Sequence, residues 1–555
     1  MTAICSARWD TVEFLPPEFR HRWHGVLASC LRAFARSPSL LNLRLLFLAS
    51  KALLAAPRRG GKARVEAVSR MMRERFELWD AGKYSELWDL VTKHNTAKVK
   101  PTGKPPAFNH IAHLVDSGLL SKAAARLSSR GIAADSPEMF AQVKALFPPA
   151  PTQKPVNRPE SDAVEVTWEE LEKLILRTPC GLSPGPSGLR VEHLRTWKGR
   201  TPRVDEGVLA ALTVITNQAL SGYLPQELQT YICGGKLVPL TKKDGGIRPL
   251  VVGECLRAII AKAAGEQVAD DVTALQPLQI GVGGRGPWMQ ASVVAVRSWI
   301  RSLSAGEGVL KVDIRNAYNS IHREACLRGV QRHCPRILRW AVWSLTGPSI
   351  LHMGDRIVLC QTGVQQGDPL APLLFALGLH EAIQPCAAAR GVLQQWFLDD
   401  GGLRGAFPAL EDALRALVPA LRGIGLEVNQ KKCELYSPVQ PPHGVLAQIA
   451  FLADRDQWSY LGVPLAEQSH AAFGGVTRRL EALSEGIRQL AATHPRQALQ
   501  LLRSLMGACR VEYLLQSLPP SVMLSEVVQR CEAGLHGGLL ATLGRESGRK
   551  SGTSH

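Results

Sequence analysis

A short apolar strand that ends in an aspartate, followed later by two adjacent aspartates in a turn, constrains this chain more than any bulk property. Residues 309–312 are typical of a buried strand, and they deliver Asp313 to the strand's C-terminal end, where helical sequence follows. Residues 395–398 predict a second strand, with 399–402 as its turn. Strands that alternate with helices in this way predict an α+β or α/β core, of which we expect α+β.

The paired aspartates matter chemically only if Asp313 lies near them. Taken alone, an aspartate at a strand end is more often a helix cap, and two aspartates in a tight turn are ordinary turn residues. Three carboxylates held close together would repel, and their pKa values would rise unless cations compensated. Mg²⁺ suits such a set because it takes oxygen ligands and keeps positions for water and substrate phosphates. If the fold brings them together, Asp313, Asp399 and Asp400 are the candidate metal ligands.

A glycine-containing segment lies between the two aspartate segments. It runs from Gly363 to Phe375 as GVQQGDPLAPLLF, a turn that leads into an apolar helix. Gly367 lets the backbone approach a base pair or template strand closely, and Gln366 offers both a hydrogen-bond donor and an acceptor. An ordinary helix start with an early proline is the alternative for this segment alone.

In order and spacing, the patterns D-x-x-x-A-Y, G-x-x-Q-G-D-P-L-x-P and F-L-D-D resemble motifs A, B and C of reverse transcriptases. The likeness is greatest to the non-LTR retrotransposon class and its group II intron relatives. It implies an RNA-directed DNA polymerase with a right-hand fold of fingers, palm and a thumb-like helical C-terminus. It also implies a pair of Mg²⁺ ions on catalytic residues Asp313, Asp399 and Asp400, with Mn²⁺ able to substitute. The implied partners are an RNA template, a DNA or RNA primer and deoxynucleoside triphosphates.

Further stretches extend the resemblance over about residues 165–470. Two positions depart from the family pattern. Reverse transcriptases usually have aspartate where this chain has Ser187, which puts any role of that aspartate in doubt. They commonly have alanine where it has Leu398, a change that we expect to alter rate or fidelity without abolishing metal binding. The matching stretches are 180–189, the basic hairpin 237–250, residues 279–283, motif D with Gly425, Leu426, Asn429 and Lys432, and the primer-grip residues Tyr460, Leu461 and Gly462.

The resemblance gives roles to the basic side chains. Lys242, Lys243 and Arg248 would contact the nucleotide's triphosphate, which agrees with the chemistry of arginine and lysine toward phosphate oxygens. Lys432 would protonate the departing pyrophosphate. Without motifs A to C, a solvated turn would be the better interpretation of the lysine pair.

Three more residues complete the implied nucleotide site. Gln366 and Gly367 belong to it through motif B. Tyr318, five residues after Asp313, stands at the position of an aromatic steric gate that leaves no room for a 2′-hydroxyl. Tyr318 therefore favours deoxynucleotides, and a core tyrosine on a helix face is the alternative.

Outside the matching region, helical patterns predominate. Residues 1–150 predict a helical N-terminal region and 151–164 a proline-rich linker, with the main domain boundary near residue 155. Residues 165–470 hold the fingers and palm, 471–544 predict a thumb-like helical region, and 545–555 a disordered tail. The apolar residues expected to face the core are Leu27, Leu31 and Phe34, then Leu41, Leu45 and Leu48 after a break at Pro38, and Leu480, Leu483, Ile487 and Leu490 near the C-terminus. Thr167 and Glu170 predict a capping box.

Composition agrees with a nucleic-acid partner. The net charge is +18 and the pI about 9.6, and a basic excess of that size is typical of proteins that bind polyanions. The 12 cysteines are scattered without a C-x-x-C pair, which disfavours a zinc ribbon and fits a reducing, intracellular compartment. No stretch is long and apolar enough to predict a membrane span. The retrotransposon resemblance implies a nuclear location.

Other functions stay open at this point. A polymerase of the same fold that makes RNA is one, although Tyr318 argues against it. A non-catalytic RNA-binding protein derived from a reverse transcriptase is another, and an inactive fragment of a larger element is a third. Loss of a catalytic aspartate would favour the non-catalytic protein, but Asp313, Asp399 and Asp400 are all present.

Overall fold

The fold is that of a computed structural model. It describes residues 1–56, 64–95, 108–116, 118, 120–128, 133, 136–151, 162–198, 201–242, 245–283, 288–388, 391–441, 443–453, 458–465, 470–505 and 522–543.

Helices form both ends of the chain, and helices and strands alternate between them. The helices are α1 (Thr2–Ser6), α2 (Pro17–Arg36), α3 (Leu40–Leu48), α4 (Arg64–Asp80), α5 (Tyr84–Asn95), α6 (Phe108–Asp116), α7 (Leu120–Ser128), α8 (Pro137–Ala145), α9 (Trp168–Arg177), α10 (Glu206–Leu220), α11 (Gln229–Ile232), α12 (Cys255–Gln267), α13 (Trp288–Arg301), α14 (Ala317–Ser320), α15 (Arg323–His333), α16 (Leu338–Leu345), α17 (Ala371–Ala388), α18 (Phe407–Gly423), α19 (His470–Ala491), α20 (Pro495–Leu505) and α21 (Val522–Thr542).

The strands lie in the middle of the chain. They are β1 (Arg195–Lys198), β2 (Thr201–Val204), β3 (Gly235–Thr241), β4 (Ile247–Gly253), β5 (Glu307–Val312), β6 (Ile314–Arg315), β7 (Ser349–Met353), β8 (Arg356–Cys360), β9 (Leu393–Phe397), β10 (Asp400–Ala406), β11 (Glu427–Val428), β12 (Glu434–Tyr436), β13 (Ala450–Leu452), β14 (Ser459–Tyr460) and β15 (Val463–Pro464).

A five-stranded sheet with the order β13-β12-β5-β10-β9 forms the centre of the fold. Strands β5 and β10 run antiparallel, with Gly401 opposite Val312. Leu310 and Val312 are buried among the apolar side chains of α17 and α18. Val309 packs instead with Val293 of α13, because successive side chains of a strand point to opposite faces. Helices therefore cover both faces, and the end of β5 and the β9–β10 hairpin meet at one end of the sheet.

A second sheet, with the order β4-β3-β7-β8, carries the basic hairpin. Strands β3 and β4 pair antiparallel along their whole length, so the predicted strands at 238–240 and 250–252 are confirmed and extended. Val143 of α8 packs with Leu237 and Val251 on one face of this sheet. The basic hairpin thus belongs to a sheet that is covered on one face, and its turn joins β3 to β4.

The first helices share a core with the rest of the chain. Trp23 and Phe34 of α2 lie in one hydrophobic cluster with apolar residues of α10, α12 and the central sheet. The Trp23 indole donates to the carbonyl of His193 at 2.9 Å, and the Thr11 hydroxyl donates to the carbonyl of Gly188 at 2.6 Å. The domain boundary near residue 155 stays a prediction, but these contacts tie the N-terminal helices directly to the segment 188–193.

Helices from opposite ends of the chain also pack together. Ile111 of α6 and Ala124 of α7 lie in one cluster with Ile487 and Leu490 of α19 and Leu501 of α20. Helix α21 packs on α19 and α20. The described parts of the C-terminal region, 470–505 and 522–543, are therefore mostly helical, and they pack partly on N-terminal helices.

The predicted buried face of α19 is confirmed for the side chains that the structure describes. Leu483, Ile487 and Leu490 are buried. The Leu480 side chain lies outside the described residues, as do the predicted tail 545–555 and most of the linker 151–164.

Local sequence signals determine where several helices begin. The Thr167 hydroxyl accepts from the N–H of Glu170 at 3.3 Å, and the Glu170 carboxylate accepts from the N–H of Thr167 at 2.9 Å, which confirms the capping box. Pro38 lies between α2 and α3, as predicted. Ser39 then caps α3 by accepting from the N–H of Asn42.

The predicted buried face of α3 is wrong in part. Leu41 is 65% exposed, whereas Leu43, Leu46 and Phe47 are buried. The helix reads LLNLRLLFL, with apolar residues all round. Periodicity therefore does not define which side meets the core.

The described helices are too short or too polar to cross a membrane.

Candidate active site

Asp313 lies immediately after β5, at the end of the central sheet. Extending the β5–β10 register one residue beyond the Gly401–Val312 pair places Asp400 opposite Asp313. On the other side, the N–H of Asn429 donates to the Asp313 carbonyl at 2.8 Å, and Nδ2 of Asn429 donates to Oδ1 of Asp313 at 2.9 Å. The motif A aspartate therefore lies between motif C and motif D.

The paired aspartates lie in a tight β9–β10 hairpin. Phe397 pairs with Asp400, so only Leu398 and Asp399 form the turn. The predicted turn at 399–402 is therefore wrong, because Asp400 and both glycines after it belong to β10. Leu398 takes a φ of +58°, a left-handed conformation that side chains with a Cβ rarely adopt and that is enriched at functional sites.

Gly281 makes room for the bulky side chain at position 398. A Cβ on Gly281 would lie 2.8 Å from Cγ of Leu398 and 3.0 Å from its backbone nitrogen. The N–H of Ile280 donates to the carbonyl of Trp396 at 2.9 Å, which holds this segment along β9. The stretch 279–283, for which the sequence predicted no specific role, thus packs against the β9–β10 hairpin.

The carboxylates of the site act on each other electrostatically. Burial raises the pKa of Asp399, and the charge of Asp313 raises it further, while Arg248 and Lys242 oppose the shift. Burial also raises the pKa of Asp400 to about 6, with Asp399 and Asp313 adding to the effect. Asp313 is therefore close enough to both hairpin aspartates to disfavour their negative charge, and Asp399 likewise disfavours that of Asp400.

The donor set fits magnesium in its chemistry, although it does not form a complete cage. Within the described part of the chain, no three His, Cys, Asp or Glu side chains come close enough together to hold a metal ion by themselves. Mg²⁺ is usually held by one or two carboxylates together with water and substrate phosphates. A bound cation would stabilise the ionised forms of Asp399 and Asp400, which burial disfavours. The metal sites therefore stay a prediction that the residues present support.

Tyr318 lies beside the aspartate pair and is half-buried. Its ring stacks on Phe375, with centroids 4.9 Å apart and planes inclined by 6°. Phe375 belongs to α17 and is fully buried, so it supports the tyrosine rigidly. Burial raises the pKa of the Tyr318 phenol, and the charge of Asp399 adds to the shift. A fixed aromatic ring thus adjoins the carboxylates at the predicted gate position.

Gly363 fits closely against the backbone that carries Tyr318. The N–H of Val364 donates to the Tyr318 carbonyl at 2.7 Å. A Cβ on Gly363 would lie 2.4 Å from that carbonyl oxygen and 2.4 Å from the carbonyl carbon of Asn319, and its φ is +68°. Only glycine meets both conditions.

The motif B residues Gln366 and Gly367 lie against β4. The N–H of Val251 donates to the Gln366 carbonyl at 2.8 Å. Gly367 has a φ of +113°, and a Cβ there would lie 2.3 Å from the Val251 carbonyl oxygen. The close approach that the glycine permits is thus an approach to a strand of the basic hairpin.

Sequence reasoning missed Arg257, which holds the motif B loop from α12. Its guanidinium donates to the side-chain oxygen of Gln365 at 2.8 Å and to the carbonyl of Cys233 at 2.7 Å. It also forms an ion pair with Asp368, and both side chains are almost completely buried. A buried charge needs partners of this kind to be tolerated. An arginine in the apolar run CLRAIIA of α12 was the available signal.

The predicted triphosphate contacts lie at the β3–β4 turn. Lys242 and Arg248 flank this turn and are exposed. Both lower the pKa of Asp399 against the effect of burial, so the positive charge of the hairpin acts on the carboxylates. Lys243 lies outside the described residues. Lys432 is exposed at the end of a 3-10 turn that follows Asn429.

The predicted primer grip is a small hairpin of β14 and β15. Leu461 and Gly462 form its turn, with φ of +48° and +77°. Tyr460 is buried, and a Cβ on Gly402 would lie 3.4 Å from its hydroxyl oxygen. The Tyr460 ring therefore covers β10 close to the two aspartates.

Ser187, at the position where reverse transcriptases usually have aspartate, meets a carboxylate from elsewhere in the chain. Its N–H donates to one oxygen of Glu254 at 2.7 Å, and its hydroxyl donates to the other at 2.6 Å. Burial raises the pKa of Glu254, and the two bonds from Ser187 oppose this shift. Sequence reasoning missed Glu254, because only the fold brings it to Ser187.

Comparison with known families accords with this geometry. Residues 240–465 match the family model described as reverse transcriptase (RNA-dependent DNA polymerase). All the predicted site residues, from Lys242 to Gly462, lie within that range. The chain therefore carries a reverse transcriptase domain, and with its mixture of helices and sheets this domain implies the right-hand polymerase fold.

Two individual proteins are also similar to the chain. The retrotransposable element SLACS 132 kDa protein of Trypanosoma brucei gambiense is 24% identical over 311 residues, which is 53% of this chain and 24% of that protein. The chain thus spans about a quarter of the length of this relative. The match, together with the domain, confirms the resemblance to reverse transcriptases of the non-LTR retrotransposon class. Among solved structures, telomerase from Candida albicans in complex with a TWJ fragment of telomeric RNA aligns with a TM-score of 0.35 and 10% identity, covering 60% of this chain and 68% of that one.

Proposed function

We propose that this protein is the RNA-directed DNA polymerase of a retrotransposon, adding deoxynucleotides to a primer 3′-end by two-metal phosphoryl transfer. One observation carries the proposal. Asp400 extends the register opposite Asp313, Asp399 precedes it in the turn, and the hairpin cations Lys242 and Arg248 act on Asp399. Carboxylates for metal and cations for phosphate then adjoin the same space, which is what phosphoryl transfer needs.

The three parts of a right-hand polymerase map onto the fold as follows. The five-stranded sheet with α17 and α18 is the palm. The sheet β4-β3-β7-β8 belongs to the fingers, and α19, α20 and α21 form the thumb-like region. The +18 net charge supports a polyanionic partner, namely an RNA template and a DNA or RNA primer.

Asp313, Asp399 and Asp400 would hold the Mg²⁺ ions, and Mn²⁺ would substitute. Bound there, the metal would activate the primer 3′-oxygen and neutralise charge on the leaving pyrophosphate. The protein's own part is to hold three repelling carboxylates together in a half-buried position. The β5–β10 pairing and the tight β9–β10 turn do this.

The nucleotide would lie between the basic hairpin and motif B. Lys242 and Arg248, with Lys243, would bind its triphosphate. Gln366 and Gly367 would form the wall beside it, since both contact Val251 of the hairpin strand β4. Binding of the triphosphate would therefore join the fingers to the motif B loop.

The sugar would be read by Tyr318. Its ring is fixed against Phe375, so it cannot move aside easily for a 2′-hydroxyl. We therefore assign deoxynucleotides as the substrate.

The primer end would lie against the hairpin Tyr460–Leu461–Gly462, which covers β10 at Gly402. Lys432 would supply the proton to the departing pyrophosphate. A nuclear location belongs to the same proposal, because it follows from the retrotransposon resemblance.

Primer extension on a defined RNA template tests the proposed activity. With Mg²⁺ and deoxynucleotides, the product should have the sequence complementary to the template, and it should disappear when the template or Mg²⁺ is left out. Ribonucleotides should be poor substrates. Untemplated addition alone, or equal use of ribonucleotides, would contradict the proposal.

A further inference from the structure

We infer that Asn429 is a positioning residue for the catalytic carboxylate of Asp313, an inference that rests on the proposed function of the site. The two residues lie 116 positions apart in the chain. Asn429 would act through Asp313 by fixing the direction in which one carboxylate oxygen is offered to metal. It is not itself placed to touch substrate.

Asn429 makes two separate bonds to Asp313. The first joins its backbone N–H to the Asp313 carbonyl at 2.8 Å. This bond continues the short pairing of β11 with β6, in which Val428 lies opposite Ile314. The second bond joins Nδ2 of Asn429 to Oδ1 of Asp313 at 2.9 Å. Only the second bond acts on the carboxylate.

The asparagine is itself firmly held. Its carbonyl accepts from the N–H of Lys432 at 2.9 Å and from the N–H of Cys433 at 3.1 Å. These bonds close a tight turn at the start of motif D. The amide therefore projects from a fixed backbone, which is the condition for a side chain to orient another one.

The direction of the side-chain bond follows from chemistry. An ionised carboxylate only accepts hydrogen bonds, so Asn429 must present its NH₂ group to Asp313. Among the residues that the structure describes, no other donor is bonded to the Asp313 carboxylate, so Oδ2 is the oxygen left for a cation.

A purely structural role would rest on the backbone bonds alone. Replacing the side chain with leucine keeps the shape of asparagine and every backbone bond of the turn, while it removes the donor. The exposed amide of Gln430, the next residue, provides a matched control in Gln430→Leu. The two variants lose the same chemical group one residue apart.

The measurement is metal affinity of the full chain without nucleotide. Tb³⁺ bound to the protein luminesces, and Mg²⁺ that displaces it lowers the signal. The part of the signal that is missing in Asp399→Asn identifies the proposed catalytic site. Asn429→Leu should raise the dissociation constant of Mg²⁺ at that site about tenfold, the lower end of the loss expected when the hydrogen-bond partner of a metal ligand is removed. This constant is obtained from the displacement curve together with each variant's own Tb³⁺ affinity, measured by direct titration. Gln430→Leu should match the wild type, and the unfolding midpoints of all variants should be similar.

Two outcomes separate this inference from the proposed function. If wild type makes DNA and Asn429→Leu equals Gln430→Leu in both Mg²⁺ affinity and Mg²⁺ dependence of synthesis, the inference is overturned and the function stands. If wild type makes no DNA but Asn429→Leu still weakens metal binding, the function fails and the positioning role stands. Should the leucine variant unfold, Asn429→Ala, which also keeps the backbone bonds, gives the same test.

Discussion

Tyr318 and Phe375 lie face to face, with ring centroids 4.9 Å apart and ring planes inclined by only 6°. Phe375 is fully buried, whereas Tyr318 keeps part of its ring exposed beside Asp399. An aromatic pair of this geometry contributes about 0.5–1.5 kcal/mol beyond simple burial. The stack therefore holds the tyrosine beside Asp399, at the position that we propose for the sugar gate.

Removing the Tyr318 ring should relax sugar selectivity. We expect Tyr318→Ala to lower the preference for a deoxynucleotide over its ribonucleotide by at least about tenfold, because the steric barrier is lost. Tyr318→Phe keeps the ring and the stack, and it should behave like the wild type. The ratio of kcat/KM for the two nucleotides measures this. An unchanged ratio in Tyr318→Ala would remove Tyr318 as the gate.

Gly363 and Gly245 allow a matched test of how closely Gly363 packs against the backbone that carries Tyr318. Both have positive φ, +68° and +82°, but a Cβ at 245 would meet nothing within 4 Å, whereas at 363 it would collide with the backbone of Tyr318 and Asn319. Both alanine variants should lose about 1 kcal/mol through backbone strain. Gly363→Ala should lose roughly 1–3 kcal/mol more through overpacking. Urea unfolding of the two proteins gives the comparison, and equal losses would contradict the predicted contact.

Restoring the family's aspartate at position 187 should destabilise the protein, because Ser187 lies against the buried Glu254. Ser187→Asp would place a second carboxylate against the buried Glu254, and we expect a loss of about 3–5 kcal/mol, the scale for an uncompensated buried charge. The double change Ser187→Asp with Glu254→Ser exchanges the two partners and should recover much of that loss. A double-mutant cycle in urea measures the coupling. Simple additivity of the two changes would show that the pair does not interact.

The buried Lys51 makes stability depend on pH. Its ammonium is fully buried and donates to the Trp9 carbonyl at 2.8 Å, and burial lowers its pKa to about 7, with Lys236 adding to the effect. Its pKa when unfolded is about 10.4, so between these values the unfolded chain binds more protons and stability rises with pH. Wild type should therefore gain stability relative to Lys51→Met between pH 7 and pH 9, by up to about 1.4 kcal/mol per pH unit. A relative loss over that range would contradict the assignment.

Features set by neighbouring residues could be predicted from the sequence. The capping box at Thr167 and Glu170 and the β3–β4 hairpin formed as expected. The sequence pattern places the turn of the β9–β10 hairpin too late, because two glycines in a row favour a turn at their own position. In the structure it is Leu398 that adopts the positive φ. Such strain depends on surroundings like Gly281, which no local pattern reveals.

Features that join distant parts of the chain could not be predicted. The bond from Asn429 to Asp313 and the bonds from Ser187 to Glu254 span 116 and 67 positions. Motifs mark the ends of these contacts, but only the fold brings them together. The resemblance to reverse transcriptases indicated which residues belong to the candidate site, and the structure adds the residues that contact them.

The most direct test of the catalytic assignment compares Asp399→Asn with Asp412→Asn. Asp412 is an exposed carboxylate on α18 that pairs with Arg415, so its variant controls for loss of one acidic group. Wild type and Asp412→Asn should extend a primer on an RNA template with Mg²⁺ and deoxynucleotides, while Asp399→Asn should make no detectable product yet bind RNA normally. Synthesis by Asp399→Asn at a rate close to the wild type's would contradict the assignment of the β9–β10 turn as the catalytic centre.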